Sequence, residues 1–411
     1  MFRFVAASCF ALLLALTLRA GDWPQFLGPQ RDGSTPEEVI AWKGELKPTW
    51  KVAVGESHSS PVVVNGIVYS FAEPKGKNAD ALTAFDAKTG KVKWEKSYER
   101  PEFKPLFGNG PRATPVVSGG KVFTLGGTGH LAAWDATTGE ILWKVDTLKE
   151  FDTKNLFFGV STSPVMVGDD KVVAMIGGKG AGVVAFDTKT GKTAWKATDD
   201  PASYASPVFV NKRLVLLTGT NLLGLNDKGD KQWAYPFEGK VGGLIESSAT
   251  PLVLGDVVVG STITGGSVAL KLSEKDGKVE TEKVWFNKTL TCYFSTPVVV
   301  GDHLYMINGG TSFTNPSIIL RCVELKTGKV LWEKKNVGKY HAAIIRCGPA
   351  GKERLLMLDD DGYLTLFEPD AKEFKQLARS KVCGKTWAHP ALVDGVVYLR
   401  DEGELLCIPL K

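Results

Sequence analysis

Residues 84–94 read AFDAKTGKVKW, and this stretch decides the fold because close variants of it return along the chain. Residues 133–143 read AWDATTGEILW and residues 185–195 read AFDTKTGKTAW, so Asp, Gly and Trp stand four residues apart in all three copies. A looser copy ends at Trp332. Two degenerate copies keep only the final part of the motif, from Gly229 to Trp233 and from Gly277 to Trp285. A unit that recurs in this way indicates an internally repeated architecture.

A second marker, Ser or Thr followed by Pro and an apolar run, precedes the copies. It occurs at Ser60-Pro61, Thr114-Pro115, Ser163-Pro164, Ser206-Pro207, Thr250-Pro251 and Thr296-Pro297, with His389-Pro390 as a variant. Successive prolines lie 43 to 54 residues apart, except for a last interval of 93 that indicates two repeats with one proline lost near Ile344. Eight units of this length, spanning about 46–411, are typical of propeller blades.

Each unit also carries the signals of an antiparallel sheet. Two β-rich runs flank Asn65-Gly66, a strong hairpin signal, and the form recurs in later units. A third strand ends near the Asp of the marker, and the Trp lies on a fourth. We therefore predict an all-β, eight-bladed β-propeller of four-stranded antiparallel blades. The eighth unit lacks a fourth strand with its Trp, and residues 49–52 form such a strand ahead of the first unit. Pairing of this N-terminal strand with the last blade is therefore expected to close the ring.

The tryptophans of the fourth strands are interpreted as structural. A Trp on the outer strand can lie flat against the next blade where the Thr-Gly turn permits close approach, and truncating a buried one costs about 3–5 kcal/mol. The residues assigned to this docking are Trp50, Trp94, Trp143, Trp195, Trp233, Trp285 and Trp332. The Asp before the turn is expected to cap it through backbone N–H groups, with Ca²⁺ binding by Asp86, Asp135 or Asp187 as the alternative.

The remaining composition limits where the chain acts. Residues 1–20 read as a signal peptide, with Arg3 before an apolar run that is short for a membrane span, and residues 21–45 read as a leader packed on the propeller. The chain carries 50 basic and 45 acidic residues without a basic run, so no nucleic-acid partner is implied. The five cysteines beyond residue 20 are odd in number and form no CxxC pair, which favours buried thiols over a single disulfide.

The repeated AxDxxTGKxxW pattern, with a Ser/Thr-Pro run opening each blade, resembles the pyrroloquinoline-quinone (PQQ)-like repeat family. The resemblance covers about 46–410, is closest in the first three blades, and implies an eight-bladed propeller with tryptophan-docking motifs. The leader DWPQFLGPQRDG resembles the opening segment of many exported members.

The resemblance implies two functional classes. Quinoprotein dehydrogenases of this family hold PQQ on the axis between a Trp and a disulfide of adjacent cysteines, with Ca²⁺ and an Asp base. This chain has no adjacent cysteines and lacks their long inserted loops. It more closely resembles the non-catalytic class of outer-membrane protein assembly factors, lipoproteins that present the propeller face to partner proteins.

One set of residues is a candidate axial binding site. The residue three positions before each marker proline is expected at the axial end of an inner strand, so equivalent blades would gather these side chains around one mouth of the channel. They are His58, Arg112, Ser161, Tyr204, Ser248, Phe294, His341 (by alignment with the lost proline) and Trp387. This mixture suits an oriented polar ligand or a peptide side chain. A channel that holds only water is the alternative.

The sequence therefore predicts a non-catalytic, monomeric propeller scaffold, periplasmic or secreted, without a transmembrane span, a metal or a cofactor. Its expected partners are envelope or secreted proteins. A PQQ-dependent quinoprotein oxidoreductase, with PQQ and Ca²⁺, is the alternative function, and a carbohydrate-binding propeller is the second alternative.

Overall fold

The fold is given by a computed structural model of the 411-residue chain, which describes residues 21–310 and 316–410. The predicted signal peptide, residues 1–20, lies outside the described residues. No helix in the described part of the chain is long and apolar enough to cross a membrane.

Eight blades, each with four antiparallel strands, make up the described fold, which confirms the predicted eight-bladed propeller. In seven of them the strands follow chain order from the inside to the outside. The innermost strands are Val62–Val64, Val116–Ser118, Val165–Val167, Val208–Val210, Leu252–Leu254, Val298–Val300, Ala342–Cys347 and Ala391–Val393. In at least six of the eight neighbouring blade pairs the innermost strands contact one another, and together they surround the central axis. The second strands are Ile67–Ala72, Lys121–Leu125, Lys171–Gly178, Arg213–Leu217, Val257–Thr262, His303–Asn308, Arg354–Asp359 and Val396–Arg400.

The outer halves of the blades carry the repeated motif. The third strands are Ala79–Asp86, His130–Asp135, Ala181–Asp187, Asn221–Asn226, Gly266–Lys275, Ile319–Glu324, Tyr363–Glu368 and Glu404–Pro409. The outermost strands are Val92–Glu99, Ile141–Asp146, Thr193–Ala197, Lys231–Pro236, Lys278–Asn287, Val330–Lys335, Lys375–Lys381 and Trp50–Ala53. The other short elements described are the helix Thr147–Glu150, the hairpin Lys240–Val241 with Leu244–Ile245, and the strand Ser34–Thr35.

The ring closes as the sequence predicts. The strand Trp50–Ala53 pairs antiparallel with Glu404–Pro409, with Trp50 opposite Cys407 and Ala53 opposite Glu404. Backbone hydrogen bonds from Thr49 N to Cys407 O (2.8 Å) and from Val54 N to Gly403 O (2.9 Å) extend the pairing at both ends. The eighth blade is therefore built from both ends of the propeller, and no blade edge is left open at the join.

The tryptophans pack against glycines of the following blade. A Cβ placed on Gly90 would come within 2.7 Å of the Trp50 ring, which shows how closely the indole lies on the turn. The same contact joins Trp94 to Gly139, Trp143 to Gly191, Trp195 to Gly229 and Trp285 to Gly328. The seventh blade has no Thr-Gly turn, but Trp332 keeps the other interblade contact of these tryptophans. Its indole N–H donates to Asp370 O (2.8 Å), as those of Trp50 and Trp143 donate to Ala87 O and Thr188 O. Trp233 is buried in the core between the fourth and fifth blades.

The aspartates of the motif cap the turns. Asp86 Oδ1 accepts hydrogen bonds from the backbone N–H of Thr89 (2.9 Å) and from its hydroxyl (2.8 Å). Asp135 and Asp187 repeat these contacts in the next two blades. Because each carboxylate is already bonded within its own turn, the geometry favours the capping role over Ca²⁺ binding.

The Ser/Thr-Pro marker joins neighbouring blades near the axis. The backbone N–H of Ser60 donates to Thr114 Oγ1 (3.1 Å), that of Thr114 to Ser163 Oγ (2.9 Å) and that of Ser163 to Ser206 Oγ (2.9 Å). The backbone N–H of His389 donates to Ser60 Oγ (2.9 Å), which continues the series across the ring closure. We call Ser60, Thr114, Ser163 and Ser206 the hydroxyl belt.

The leader lies in the channel against the innermost strands. Trp23 exchanges backbone hydrogen bonds with Val63 (2.7 and 2.9 Å), and Val117 N donates to Pro24 O (2.8 Å). Further along, Ser34–Thr35 pairs parallel with the innermost strand of the seventh blade. The leader thereby contacts innermost strands in at least three blades.

Arg31 fixes the leader at the centre of the ring. Its guanidinium donates to the carbonyls of Ser163 (2.9 Å), Pro164 (3.0 Å) and Pro207 (2.8 Å). The side chain is 3% exposed, and burial lowers its pKa to about 9. A cation anchored only by neutral acceptors therefore lies close to the axis.

The five cysteines of the described part of the chain are buried free thiols. They are Cys292, Cys322, Cys347, Cys383 and Cys407.

Candidate functional site at the channel mouth

A cavity of about 130 Å³ lies at one end of the channel. The structure places all eight residues of the candidate axial site in its lining: His58, Arg112, Ser161, Tyr204, Ser248, Phe294, His341 and Trp387. They lie in the irregular segments that lead into the innermost strands. Most of these side chains are half-buried, whereas His341 is buried.

The lining also contains residues that sequence reasoning missed. Phe26, Phe107, Phe158, Glu246, Tyr293 and His389 belong to this second group, together with the hydroxyl belt. Phe26 comes from the leader and contacts the His389 ring at 5.0 Å, so the leader forms part of the floor. His389 stands in the Ser/Thr position of its own marker, which was the one signal that pointed to it.

Aromatic rings form one wall of the cavity around Trp387. Its ring stacks with Phe294 (5.4 Å between centroids, 21° between planes) and with His58 (5.2 Å, 26°). Phe107 approaches the same indole at 5.3 Å. On the far side of Phe294 lies Tyr293, at 3.8 Å and 19°. This wall offers flat apolar surface to whatever enters the mouth.

Two loops carry exposed apolar side chains beside the opening. We call residues 101–111 and 152–162 the mouth loops. Leu106 is 60% exposed, Phe107 42% and Phe157 49%. Phe158 links the two loops, since its ring lies 6.2 Å from that of Phe107 and 4.8 Å from that of Phe157. Exposed apolar side chains grouped at the rim of a cavity are typical of interaction surfaces.

Arg112 holds one mouth loop in place. Its guanidinium donates to the carbonyls of Leu106 (2.9 Å) and Gly108 (3.2 Å), with longer contacts to Phe107 and Gly110. Desolvation by burial lowers its pKa to about 10. The side chain thus acts as a structural cation whose donors point at its own loop.

Three histidines line the cavity and are held neutral by burial. Burial is the main cause that lowers the pKa of His58 to about 4, assisted by the charge of Arg112. Burial also lowers the pKa of His389 to about 4 and that of His341 well below its ordinary value. His58 Nε2 donates to Phe107 O at 2.5 Å, and His341 Nδ1 lies 3.2 Å from Ser295 Oγ.

Glu246 is the acidic side chain of the lining, and it is bonded to the Tyr293 hydroxyl. Burial raises the pKa of Glu246, while the hydrogen bond from Tyr293 opposes that rise. Burial also raises the pKa of Tyr293, and the hydrogen bond to the Glu246 carboxylate and its charge raise it further. The pair is therefore a satisfied structural contact.

The lining does not fit PQQ. The quinone carries three carboxylates, whereas the arginine of the lining has its donors on backbone carbonyls and the one lining carboxylate is bonded to a tyrosine. Among the described residues, the lining therefore offers neutral donors but no free cationic side chain to balance three negative charges. Within residues 21–310 and 316–410, no group of His, Cys, Asp and Glu side chains has the geometry of a metal site. The five cysteines described do not line the cavity, so no disulfide flanks it.

A wider basin adjoins the cavity on its outer side. It has a volume of about 1120 Å³ and shares His58, Phe107 and Trp387 with the cavity. Its rim mixes lysines with carboxylates, among them Lys104 and Asp361. The aromatic wall therefore separates a small inner pocket from a broad polar surface.

Comparison with known proteins identifies the repeat. The family model described as outer membrane protein assembly factor BamB matches residues 32–112 and 100–334. The outer membrane protein assembly factor BamB of Shewanella oneidensis is 24% identical over 308 residues, which cover 72% of this chain and 73% of that protein.

Enzymes share the fold as well. The dehydrogenase subunit of the alcohol dehydrogenase (quinone) of Gluconobacter oxydans is 30% identical over 196 residues, 43% of this chain but only 24% of that protein. The solved structure of a europium-containing methanol dehydrogenase superposes with a TM-score of 0.68 at 15% identity, covering 94% of this chain and 91% of that chain. This structural likeness shows the fold alone, since one fold hosts several functions. Because the family model covers most of the propeller, the chain belongs to the PQQ-like repeat family described as outer membrane protein assembly factor BamB.

Proposed function

We propose that this chain is a non-catalytic, exported propeller scaffold that binds protein partners in the cell envelope through the mouth of its channel. One observation carries the proposal: exposed apolar side chains of the mouth loops lie beside a cavity whose charged groups are already bonded within the protein. The relationship to outer membrane protein assembly factor BamB supports it at the level of the family.

The chemistry of the lining supports a binding role over a catalytic one. Acid–base catalysis needs a titratable group within reach of a substrate and with a pKa near the working pH. Here Glu246 is bonded to Tyr293, and burial holds the pKa of the lining histidines well below neutrality. Aromatic rings beside neutral polar groups are instead the usual composition of recognition surfaces.

Site-specific photo-crosslinking tests the proposed face. A benzophenone amino acid at Phe157, in a mouth loop, should capture an envelope protein that mass spectrometry identifies. Phe286 is the matched control, because it is equally exposed at 49% but lies on the outermost strand of the fifth blade. Equal capture from both positions, or capture from Phe286 alone, would reject the channel mouth as the binding face.

The oxidoreductase alternative has its own test. After incubation with PQQ and Ca²⁺, we expect no dye-linked oxidation of alcohols or sugars above the background without protein. Turnover that disappears in Arg112→Ala or Trp387→Ala would overturn the scaffold proposal.

The aromatic wall favours a carbohydrate ligand as the second candidate function. Sugar rings pack on flat aromatic surfaces, and Phe294 and Trp387 present such rings beside Tyr204. Binding on a glycan array that Trp387→Ala abolishes would favour this candidate, whereas an array without signal would remove it.

A further inference from the structure

The foot of the cavity holds buried imidazole nitrogens that lack partners in the described part of the chain. His341 and His389 are 2% and 6% exposed, both rings line the cavity, and their centroids lie 5.2 Å apart. The Nε2 atom of each ring is buried and has no hydrogen-bond partner among the described residues. An unpaired buried polar atom costs about 1–3 kcal/mol, so two of them side by side in a cavity indicate a missing partner.

The hydrogen bonds of His341 favour a donor at its free nitrogen. Ser295 Oγ accepts from the backbone N–H of Ala342 (3.4 Å), which leaves the hydroxyl hydrogen free for Nδ1 of His341. A neutral imidazole that accepts at one nitrogen carries its hydrogen on the other. His341 Nε2 is then an N–H group directed at the cavity.

The hydroxyl belt adds further donors. The oxygens of Ser60, Thr114, Ser163 and Ser206 each accept a backbone N–H, and all four side chains line the cavity. None of these hydroxyls donates to another group within residues 21–310 and 316–410. Since a hydroxyl has one hydrogen to give, the foot of the cavity is rich in donors and poor in acceptors.

Arginines near the cavity add a positive potential. Arg31, Arg112 and Arg400 all donate to backbone carbonyls, and none forms an ion pair with a carboxylate in the described part of the chain. Arg400 is 1% exposed and its Nη1 atom has no hydrogen-bond partner in that same part. In surroundings of low dielectric constant such charges favour an anion nearby.

We propose that the foot of the cavity binds a carboxylate group, which accepts hydrogen bonds from His341 and from the hydroxyl belt. The carboxylate would come from an acidic side chain of the bound partner protein, and this assignment of its source rests on the proposed function. A free organic acid is the other source of the same chemistry. The donors are hydroxyls and neutral imidazoles, which suit a singly charged carboxylate better than a doubly charged phosphate.

The test is a titration of the full chain with benzoate, followed through the imidazole nitrogens of protein labelled with ¹⁵N-histidine. The chain has five histidines, so each resonance can be assigned by single substitution. Benzoate should shift the His341 and His389 nitrogens and leave those of His130 and His303, which lie outside the cavity lining. Charge-assisted hydrogen bonds should make benzoate bind at least about tenfold more tightly than benzyl alcohol.

A matched pair of variants locates the site. His341→Phe keeps a flat ring but removes the donor, and should weaken benzoate binding about tenfold. His303→Phe should bind benzoate as the unmodified chain does. If His341→Phe fails to fold, the titration of the unmodified chain still tests whether benzoate binds at His341 and His389. Unmoved His341 and His389 signals, which would indicate ordered water only, or tighter binding of inorganic phosphate than of benzoate, would overturn the inference.

Two peptides distinguish the sources. Acetyl-Ala-Glu-Ala-amide should shift the same two histidines, and acetyl-Ala-Gln-Ala-amide should not. Benzoate binding without peptide binding would keep the carboxylate site but reject a polypeptide as its source. Failure of crosslinking at Phe157 would remove the scaffold proposal without affecting the benzoate result, so the two proposals fail separately.

Discussion

Single residues decide how closely the blades approach one another. The turn glycines of the motif meet a tryptophan of the preceding blade and also adopt positive φ, as at Gly90 with φ +69°. Both requirements exclude a side chain, one through steric overlap and the other through backbone strain. The Gly of the repeated motif is therefore a packing residue as much as a turn residue.

Gly90→Ala separates these two effects when it is compared with Gly277→Ala. Gly277 has φ +72°, but a Cβ there would meet nothing within 4 Å. Both variants strain the backbone, and only Gly90→Ala also displaces the Trp50 ring. We expect Gly90→Ala to lose about 1–3 kcal/mol more unfolding free energy than Gly277→Ala, measured by urea denaturation. Equal losses would show that the indole moves aside without cost.

The buried histidines predict how stability depends on pH. The folded-state pKa of His389 is about 4, against an ordinary value of 6.5. As pH falls below 6.5, His389 binds a proton in the unfolded chain but not in the folded chain. The stability contributed by His389 therefore falls until about pH 4 and is constant below that pH. The loss from His389 amounts to about 3 kcal/mol. His389→Gln should lose less unfolding free energy between pH 7 and pH 4.5 than the unmodified chain, and an unchanged loss would contradict this assignment.

At the scale of elements, the strand Trp50–Ala53 is the join of the ring. It contributes the outermost strand of the eighth blade and places Trp50 on the first blade, where its indole N–H donates to Ala87 O (3.0 Å). Loss of its pairing would therefore remove a sheet edge and an interblade contact together.

Val52→Pro tests this join. Proline cannot donate to the ladder opposite Leu405, and we expect a loss of about 3 kcal/mol or more of unfolding free energy. Lys51→Ala is the control in the same strand, since the exposed pair of Lys51 with Glu404 contributes at most about 1 kcal/mol. Similar urea midpoints for the two variants would mean that the ring does not depend on this strand.

At the scale of the whole molecule, the leader occupies the channel and forms part of the floor of the cavity. Its backbone protects amides of three separate blades: Val63 N bonded to Trp23 O, Val117 N to Pro24 O and Arg346 N to Gly33 O. A propeller without this segment would keep its blades but expose the innermost strands to water.

A chain that begins at residue 37 tests this role. Hydrogen exchange at Val63, Val117 and Arg346 should accelerate by at least about tenfold, because these amides lose their acceptors. The amide of Val258, which faces Leu270 on the third strand of the fifth blade, is the reference and should keep its rate. Unchanged exchange at all four amides would show that the leader is dispensable for the native ring.

The sequence predicted those features of the fold that recur in every blade. The Asp, Gly and Trp spacing recurs because every blade solves the same turn and docking problem, and the two half-blades at the ends predicted the closure. The course of the leader was not predictable, since Arg31 bonds to Pro164 from 133 residues away through one side chain. Phe107 and Phe158 carried no signal for the same reason, as they belong to loops outside the repeat.

The join of the ring has a consequence for how the chain reaches its native state. The strand that contains Trp50 cannot pair until Cys407 has been synthesised, 357 residues later. At usual synthesis rates that delay is roughly 20–70 s. During this interval the first blades hold an unsealed flank that other chains could pair with, so a holdase that shields nascent β-structure would raise the yield of closed rings.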